Sequence, residues 1–305
     1  MKLRIIFGLA GVTVAILLAV VTVRTILVNP PPQPDIAPVK DIIIDKGAAA
    51  KRLARAVQFR TISHGPDAPV AAAAFRGLHD FIRGTFVNVH KHLKRETVNE
   101  LSLLYTWEGT DPSLKPILLL AHMDVVPVEP GTEKSWTHSA FDGAVSDGFV
   151  WGRGTMDMKA SMMGILEAVE YLLAKSFAPK RTVYLAFGHD EEIGGYEGAA
   201  KIAALLQARR VRFAFTLDEG LVVTHGLLPG VEKPVALIGI AEKGIVTLKL
   251  SAHGPGGHGS MPPPYSAIAR LGRALARLED QPMPVALRAP VARMFDHVMA
   301  EMPLS

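Results

Sequence analysis

The 305-residue sequence predicts an α/β fold, a mostly parallel sheet with helices on both faces, and three observations predict it. Between Lys46 and Leu217, short apolar runs of strand length alternate with amphipathic stretches of helical period, the pattern of a sheet built from crossover units. Three of those runs end in acidic or histidine groups instead of plain turn residues. After Ile240 the texture changes to apolar–polar alternation followed by an amphipathic helix, which predicts that a smaller α+β domain begins there.

After Lys2 and Arg4, the run Ile5 to Val23 carries no charge. As a helix rising about 1.5 Å per residue it approaches the roughly 30 Å of bilayer hydrocarbon. Residues 1–28 therefore read as a single N-terminal transmembrane helix, with a cleaved signal peptide as the alternative; no small-x-small cleavage site follows the run. Lys2 and Arg4 favour a cytoplasmic N-terminus, which places the rest of the chain on the non-cytoplasmic side, or outside the cell if a signal is cleaved. Residues 29–45, with "NPPPQPDIAP" at Asn29–Pro38, read as a stiff Pro-rich linker.

Beyond the linker, "AAAKRLARAVQF" and Ala71 to Ile82 are amphipathic helices, and Pro116 to Ala121 is a short buried strand. A strand near Val145–Trp151, a helix from Met158 to Ala174, a strand at Arg181–Phe187, a helix from Tyr196 to Ala208 and a strand at Val211–Leu217 complete the alternation. In the smaller domain, "GIVTLKLSAHG" reads as a half-solvated strand and "SAIARLGRALARLED" as a helix.

Composition narrows the chemistry. The chain has 33 Lys and Arg against 29 Asp and Glu, a net charge of only +4, and no dense basic tract, which argues against nucleic-acid binding. Cysteine is absent, so disulfides and thiolate metal sites are excluded, and any metal centre is built from histidine and carboxylates.

Those carboxylates sit at strand ends. His122 and Asp124 in "LLLAHMDVVP" follow one predicted strand, Glu191 and Glu192 in "FGHDEEIGG" a second, and Asp218 in "FTLDEG" a third, while Asp157 lies in the glycine-rich turn "GRGTMDMKA". In an open α/β sheet the carboxyl ends of the strands form the ligand crevice. One imidazole and several acids there suit zinc, with cobalt or manganese as substitutes. Taken singly, each has a plainer reading: Asp157 as a helix N-cap, the Glu pair as a solvated loop, the histidine as structural. Together, acids crowded at one edge repel one another unless a cation neutralises them.

The motifs "AHMDVVP", "WGRGTMDMKA", "FGHDEEIGG", "LDEG" and "SAHGPGGHGSMP", in this order across Ala48 to Pro262, resemble the dinuclear zinc metallopeptidases related to carboxypeptidase S, aminoacylase and glutamate carboxypeptidase. With the N-terminal apolar segment, the resemblance is to the membrane-anchored carboxypeptidase S and N-acyl-amino-acid hydrolase branch. It implies an aminopeptidase-like catalytic domain, whose N-terminal part is residues 46–239, and an inserted α+β lid or dimerisation domain starting over 240–305.

By the same resemblance, two Zn2+ are held by His122, Asp157, Glu192 and Asp218, with Asp157 bridging them. Asp124 orients His122, Glu191 is the general base acting on a metal-bound water, and His258 donates to the oxyanion of the tetrahedral intermediate. The implied substrate is a short peptide or N-acyl amino acid, and the implied assembly a homodimer through the lid. The family's last histidine ligand has no counterpart before Ser305, so the resemblance implies a truncated, inactive chain. A non-catalytic, membrane-tethered relative is the alternative from another class. Ala140 before Phe141 stands where the family often has proline.

Overall fold

The structure is a computed structural model that describes residues 2–27, 29, 31–32, 42–65 and 67–302. In chain order its helices are α1 (Lys2–Ile26), α2 (Lys46–Val57), α3 (Ala72–Thr85), α4 (Val87–His92), α5 (Ala160–Ala174), α6 (Ala199–Ala208), α7 (Ala267–Asp280) and α8 (Ala289–Val298). The strands are β1 (Lys94–Val98), β2 (Ser102–Trp107), β3 (Ile117–His122), β4 (Ala144–Ser146), β5 (Phe149–Trp151), β6 (Val183–Gly188), β7 (Phe215–Leu217), β8 (Val223–Thr224) and β9 (Val235–Ala236). Val39–Glu219 forms one compact unit, and Met1–Pro38 with Gly220–Ser305 the other. The chain thus divides after Glu219, ahead of the change of texture at Ile240.

The sheet of the first unit runs β1-β2-β6-β3-β7. β6, β3 and β7 are parallel, whereas β1 and β2 are antiparallel to their neighbours. The sheet is therefore mixed, which corrects the expected mostly parallel arrangement. The β1–β2 hairpin escapes sequence reading because β1 is the polar "KRETV". Its turn, moreover, places Asn99 and Glu100 at φ of 46° and 66°, a conformation for which glutamate gives no signal.

The single strand expected at Val145–Trp151 is also corrected. It is a hairpin in which Ser146 pairs with Phe149. Asp147 and Gly148 between them lie at φ of 54° and 81°, the two left-handed residues a type I′ turn requires.

Chain direction explains why both faces are covered. From β3 the chain passes through α5 to β6 on one side, then returns through α6 to β7 on the other. Crossovers of one hand in opposite directions put the two helices on opposite faces. Phe75, Leu78 and Ile82 of α3, with Met162 and Leu166 of α5, pack on Leu103, Tyr105, Leu185 and Phe187. On the opposite face Ile202 and Leu206 of α6 meet Leu104, Leu118 and Ala186, the alternate residues of the same strands. Arg52 of α2 pairs with Glu167 of α5 through both carboxylate oxygens.

In the second unit, Ser266 caps α7 by accepting the Ala269 N–H at 3.1 Å. The strand expected at "GIVTLKLSAHG" does not form; residues 241–258 have no regular secondary structure, and Ile245 is 96% exposed. A strand needs a neighbour for its backbone groups, and among the described residues none pairs with this stretch. The uncharged N-terminal run is helical as α1. Among the described residues, however, no helix is long and apolar enough to cross a membrane, so the transmembrane reading of residues 1–28 gains no support. Most of the Pro-rich linker lies outside the described residues.

Candidate metal centre

The three parallel strands end together. His122 of β3 is level with Gly188 of β6, and the next residues of each chain segment turn over the same sheet edge. β7 lies on the other side of β3, so Asp218 and Glu219 leave from that edge too. The turn carrying Asp157 is pressed against the same edge. Gly154, at φ 78°, lies so close to the Val125 side chain that a Cβ there would collide with it.

His122 is the centre of the cluster. Its Nε2 stands 2.9 Å from Asp157 Oδ1, 3.6 Å from Glu219 Oε1 and 3.8 Å from Glu191 Oε2. Ligand atoms of His122, Asp157 and Glu219 all lie within 4.8 Å of one another, close enough to hold one ion. On the other side of the ring, Nδ1 is 3.0 Å from Asp124 O and 3.3 Å from Asp124 Oδ1. An Nδ1–H shared between those oxygens leaves Nε2 facing the acids.

Asp124 is fully buried, at 0% exposure, and ties the site together. Its Oδ1 accepts the backbone N–H of Glu191 and its Oδ2 that of Glu192, each at 3.1 Å. Ser63 Oγ donates to Oδ2 at 2.7 Å. Glu192 in turn accepts the Val126 N–H at 3.2 Å. Asp190 holds the loop from below, its Oδ2 accepting the Glu197 N–H at 2.7 Å.

The electrostatics follow from burial and crowding. Burial opposes charge on His122, but the hydrogen bond and charge of Asp124, with Glu219 and Glu191 beyond, outweigh it and raise the imidazole to about 9. Burial, reinforced by the charge of Asp157, pushes Glu192 up to about 7. Burial likewise raises Glu191 and Glu219. For Asp124 burial acts upward, yet the hydrogen bonds from His122 and Ser63 hold it below its ordinary value. The balance of crowding and burial at this edge thus raises the proton affinity of His122, Glu191, Glu192 and Glu219 alike. One imidazole nitrogen with carboxylate oxygens is a donor set that fits zinc, cobalt or manganese.

Of the residues singled out in the sequence, His122, Asp124, Asp157, Glu191 and Glu192 are brought together. Asp218 is beside them, its charge acting on Glu191 and Glu219, but its Oδ1 accepts the Glu219 N–H at 2.9 Å. Glu219, which sequence reasoning passed over, takes the place facing His122. Its signal was the adjacent acid pair of "LDEG", parallel to the Glu191–Glu192 pair of "HDEE". His258 lies in the other unit, in an exposed turn where Nδ1 is 2.8 Å from Ser260 Oγ.

A protein-family model described as Peptidase family M20/M25/M40 matches residues 118–302. Probable carboxypeptidase S-like 2 of Dictyostelium discoideum is 46% identical over 83% of this chain and 49% of its own length. N-fatty-acyl-amino acid synthase/hydrolase PM20D1 of Bos taurus is 42% identical over 78% of this chain and 47% of its own. Carboxypeptidase S of Saccharomyces cerevisiae is 42% identical over 78% of this chain and 42% of its own. The chain spans about half the length of the curated relatives it matches.

Proposed function

The chain belongs to peptidase family M20/M25/M40, and from that premise we propose that its site hydrolyses an amide bond in a short peptide or an N-acyl amino acid. The names of the relatives, carboxypeptidase S and an N-fatty-acyl-amino acid synthase/hydrolase, support that substrate range. The observation that carries the reading is the buried Asp124–His122 pair presenting Nε2 to Asp157, Glu191 and Glu219 at one sheet edge.

His122, Asp157, Glu192, Asp218 and Glu219 would hold divalent cations, two zinc ions in the reading we favour. Bound there, the metal supplies Lewis acidity, polarising the scissile carbonyl and acidifying water. The chain's own residues do the rest. Asp124 keeps the His122 tautomer that leaves Nε2 free for a ligand role. Glu191, half exposed where Asp124 is fully buried, is open to substrate and accepts a proton from the attacking water. It returns that proton to the leaving nitrogen as the C–N bond breaks, giving a carboxylic acid and an amine. Its raised proton affinity suits both transfers.

The test is a hydrolysis panel on the full-length protein: N-fatty-acyl and N-acetyl amino acids beside dipeptides, with chelator and with Zn2+, Co2+ or Mn2+ restored. Metal-dependent release of amino acid from at least one class is expected. Turnover that persists in excess chelator would sink the metal reading, and no hydrolysis of any class would sink the enzyme reading.

A further inference from the structure

The short segment after α2 is built into the site by an unusual route. Residues Thr61 to Ser63 run parallel to Met123–Val125 without joining the sheet, through a bridge between Ile62 and Val125. The Val125 N–H donates to Thr61 O and the Ser63 N–H donates to Val125 O, both at 3.0 Å. Thr61 Oγ1 adds a third tie, donating to Met123 O at 2.6 Å. The backbone at residue 63 is thus fixed against the residue that follows Asp124, and from that position Ser63 Oγ reaches Asp124 Oδ2.

The carboxylate needs that donor. An ionised carboxylate offers about four acceptor positions. Asp124 fills them with the Glu191 N–H, the Glu192 N–H, the His122 Nδ1 side and Ser63 Oγ. At 0% exposure, no bulk water stands ready to replace a lost partner. Of the four donors, three belong to residues that Asp124 itself orients. Ser63 alone comes from outside the machinery.

We propose that Ser63 is a positioning residue of this site: its hydroxyl fixes the rotation of the Asp124 carboxylate, which in turn sets His122 and the backbone of Glu191 and Glu192. Without it, Oδ2 is one donor short, and the carboxylate turns to share its remaining partners. The amides of residues 191 and 192 then lose their fixed acceptor, and His122 Nδ1 its fixed neighbour. The consequence for cation affinity rests on the function proposed above; the consequence for the 191–192 backbone does not.

The experiment compares wild type, Ser63→Ala and Ser63→Thr in the full-length protein. In excess chelator, amide hydrogen exchange at Glu191 and Glu192 is expected to quicken about tenfold or more in Ser63→Ala, the scale of a lost charge-assisted hydrogen bond. Amides inside β3 and β6 should keep their rates, which separates positioning from general loosening. In a competition titration with a chromophoric chelator, Ser63→Ala should bind Co2+ up to about 10-fold more weakly, the low end of the cost of losing a ligand's partner, because Ser63 reaches His122 only through Asp124. Ser63→Thr, which keeps the hydroxyl, should restore both.

Unchanged exchange at 191–192 in Ser63→Ala overturns the proposal, as does equal quickening in Ser63→Thr, which would mark simple packing. If wild type bound no divalent cation, the metal reading would fall and the exchange result alone would decide the role of Ser63.

Discussion

Asp124 accepts the backbone N–H of Glu192 at 3.1 Å across 68 residues of sequence, and this contact fixes the Glu pair relative to His122. Because Oδ1 of the same carboxylate takes the Glu191 N–H, the two glutamates leave one anchored backbone in different directions. Glu192 goes to the Val126 N–H, and Glu191 toward His122 Nε2. Adjacent acids can therefore carry separate tasks.

That division predicts how the two respond to mutation. Glu191→Gln should lower kcat by about 10²- to 10⁴-fold, the range for losing a general base, while the bound metal per protein stays near wild type. Glu192→Gln should lose metal first, with activity recovering as metal is added in excess. Elemental analysis beside initial rates checks both, and parallel loss of metal and rate in Glu191→Gln would mean the roles are exchanged.

Much of this arrangement was legible in the sequence, and the limits have physical causes. β3, β6 and the helices α2, α3, α5 and α6 carry their apolar period openly, so the edge on which His122, Asp124, Glu191 and Glu192 meet could be foreseen. β1 could not, because "KRETV" has a single apolar residue and too little apolar content to register. Ser63 was hidden for another reason: its role depends on a backbone bridge between distant segments, and nothing local distinguishes it from a turn serine. Which of Asp218 and Glu219 faces His122 turns on side-chain direction, which adjacent acids in a loop do not reveal.

The raised proton affinities predict a proton count for metal binding. His122 holds its proton up to about 9 and Glu192 up to about 7, and both must release it to act as ligands. Uptake of a divalent ion should thus free about two protons below pH 7 and about one between pH 7 and 9, so affinity rises with pH, more steeply on the acid side. Calorimetry in buffers of different ionisation enthalpy measures this directly. An affinity that does not change between pH 6 and 8 would show that neither group gives up a proton on binding the ion.

Attachment to a membrane is a separate proposal, resting on the uncharged sequence Ile5–Val23 alone, since among the described residues no helix is long and apolar enough to cross one. If α1 anchors the protein, the full-length form should stay with the membrane pellet after carbonate washing, and removal of residues 1–38 should release it. Recovery of the intact protein in the carbonate supernatant would dismiss the anchor, and a mature N-terminus near residue 25 would show a cleaved signal.

Lys159 offers a test of the scaffold beneath Asp157. It is 0% exposed, and its Nζ donates to Ala56 O at 3.1 Å and to Phe59 O at 2.7 Å, at the carbonyl end of α2 where a cation is favoured. Burial nevertheless dominates and lowers the ammonium to about 7, against a weaker upward pull from the charge of Asp124. The unfolded chain keeps the lysine proton up to its ordinary value of about 10.4, so between there and about 7 the folded state binds fewer protons and is progressively penalised as pH falls. Lys159→Met has similar volume and no charge to bury. Both carbonyls keep backbone partners, Phe59 N–H on Ala56 O and Thr61 N–H on Phe59 O. Lys159→Met should therefore match wild type near pH 10 and gain on it by a few kcal/mol as the pH falls to about 6.5. Denaturant unfolding of both proteins in chelator at pH 6.5, 8 and 9.5 checks the trend. A variant less stable than wild type at pH 6.5 would show that the contacts of the buried ammonium outweigh its desolvation, and that the turn bearing Asp157 depends on that charge.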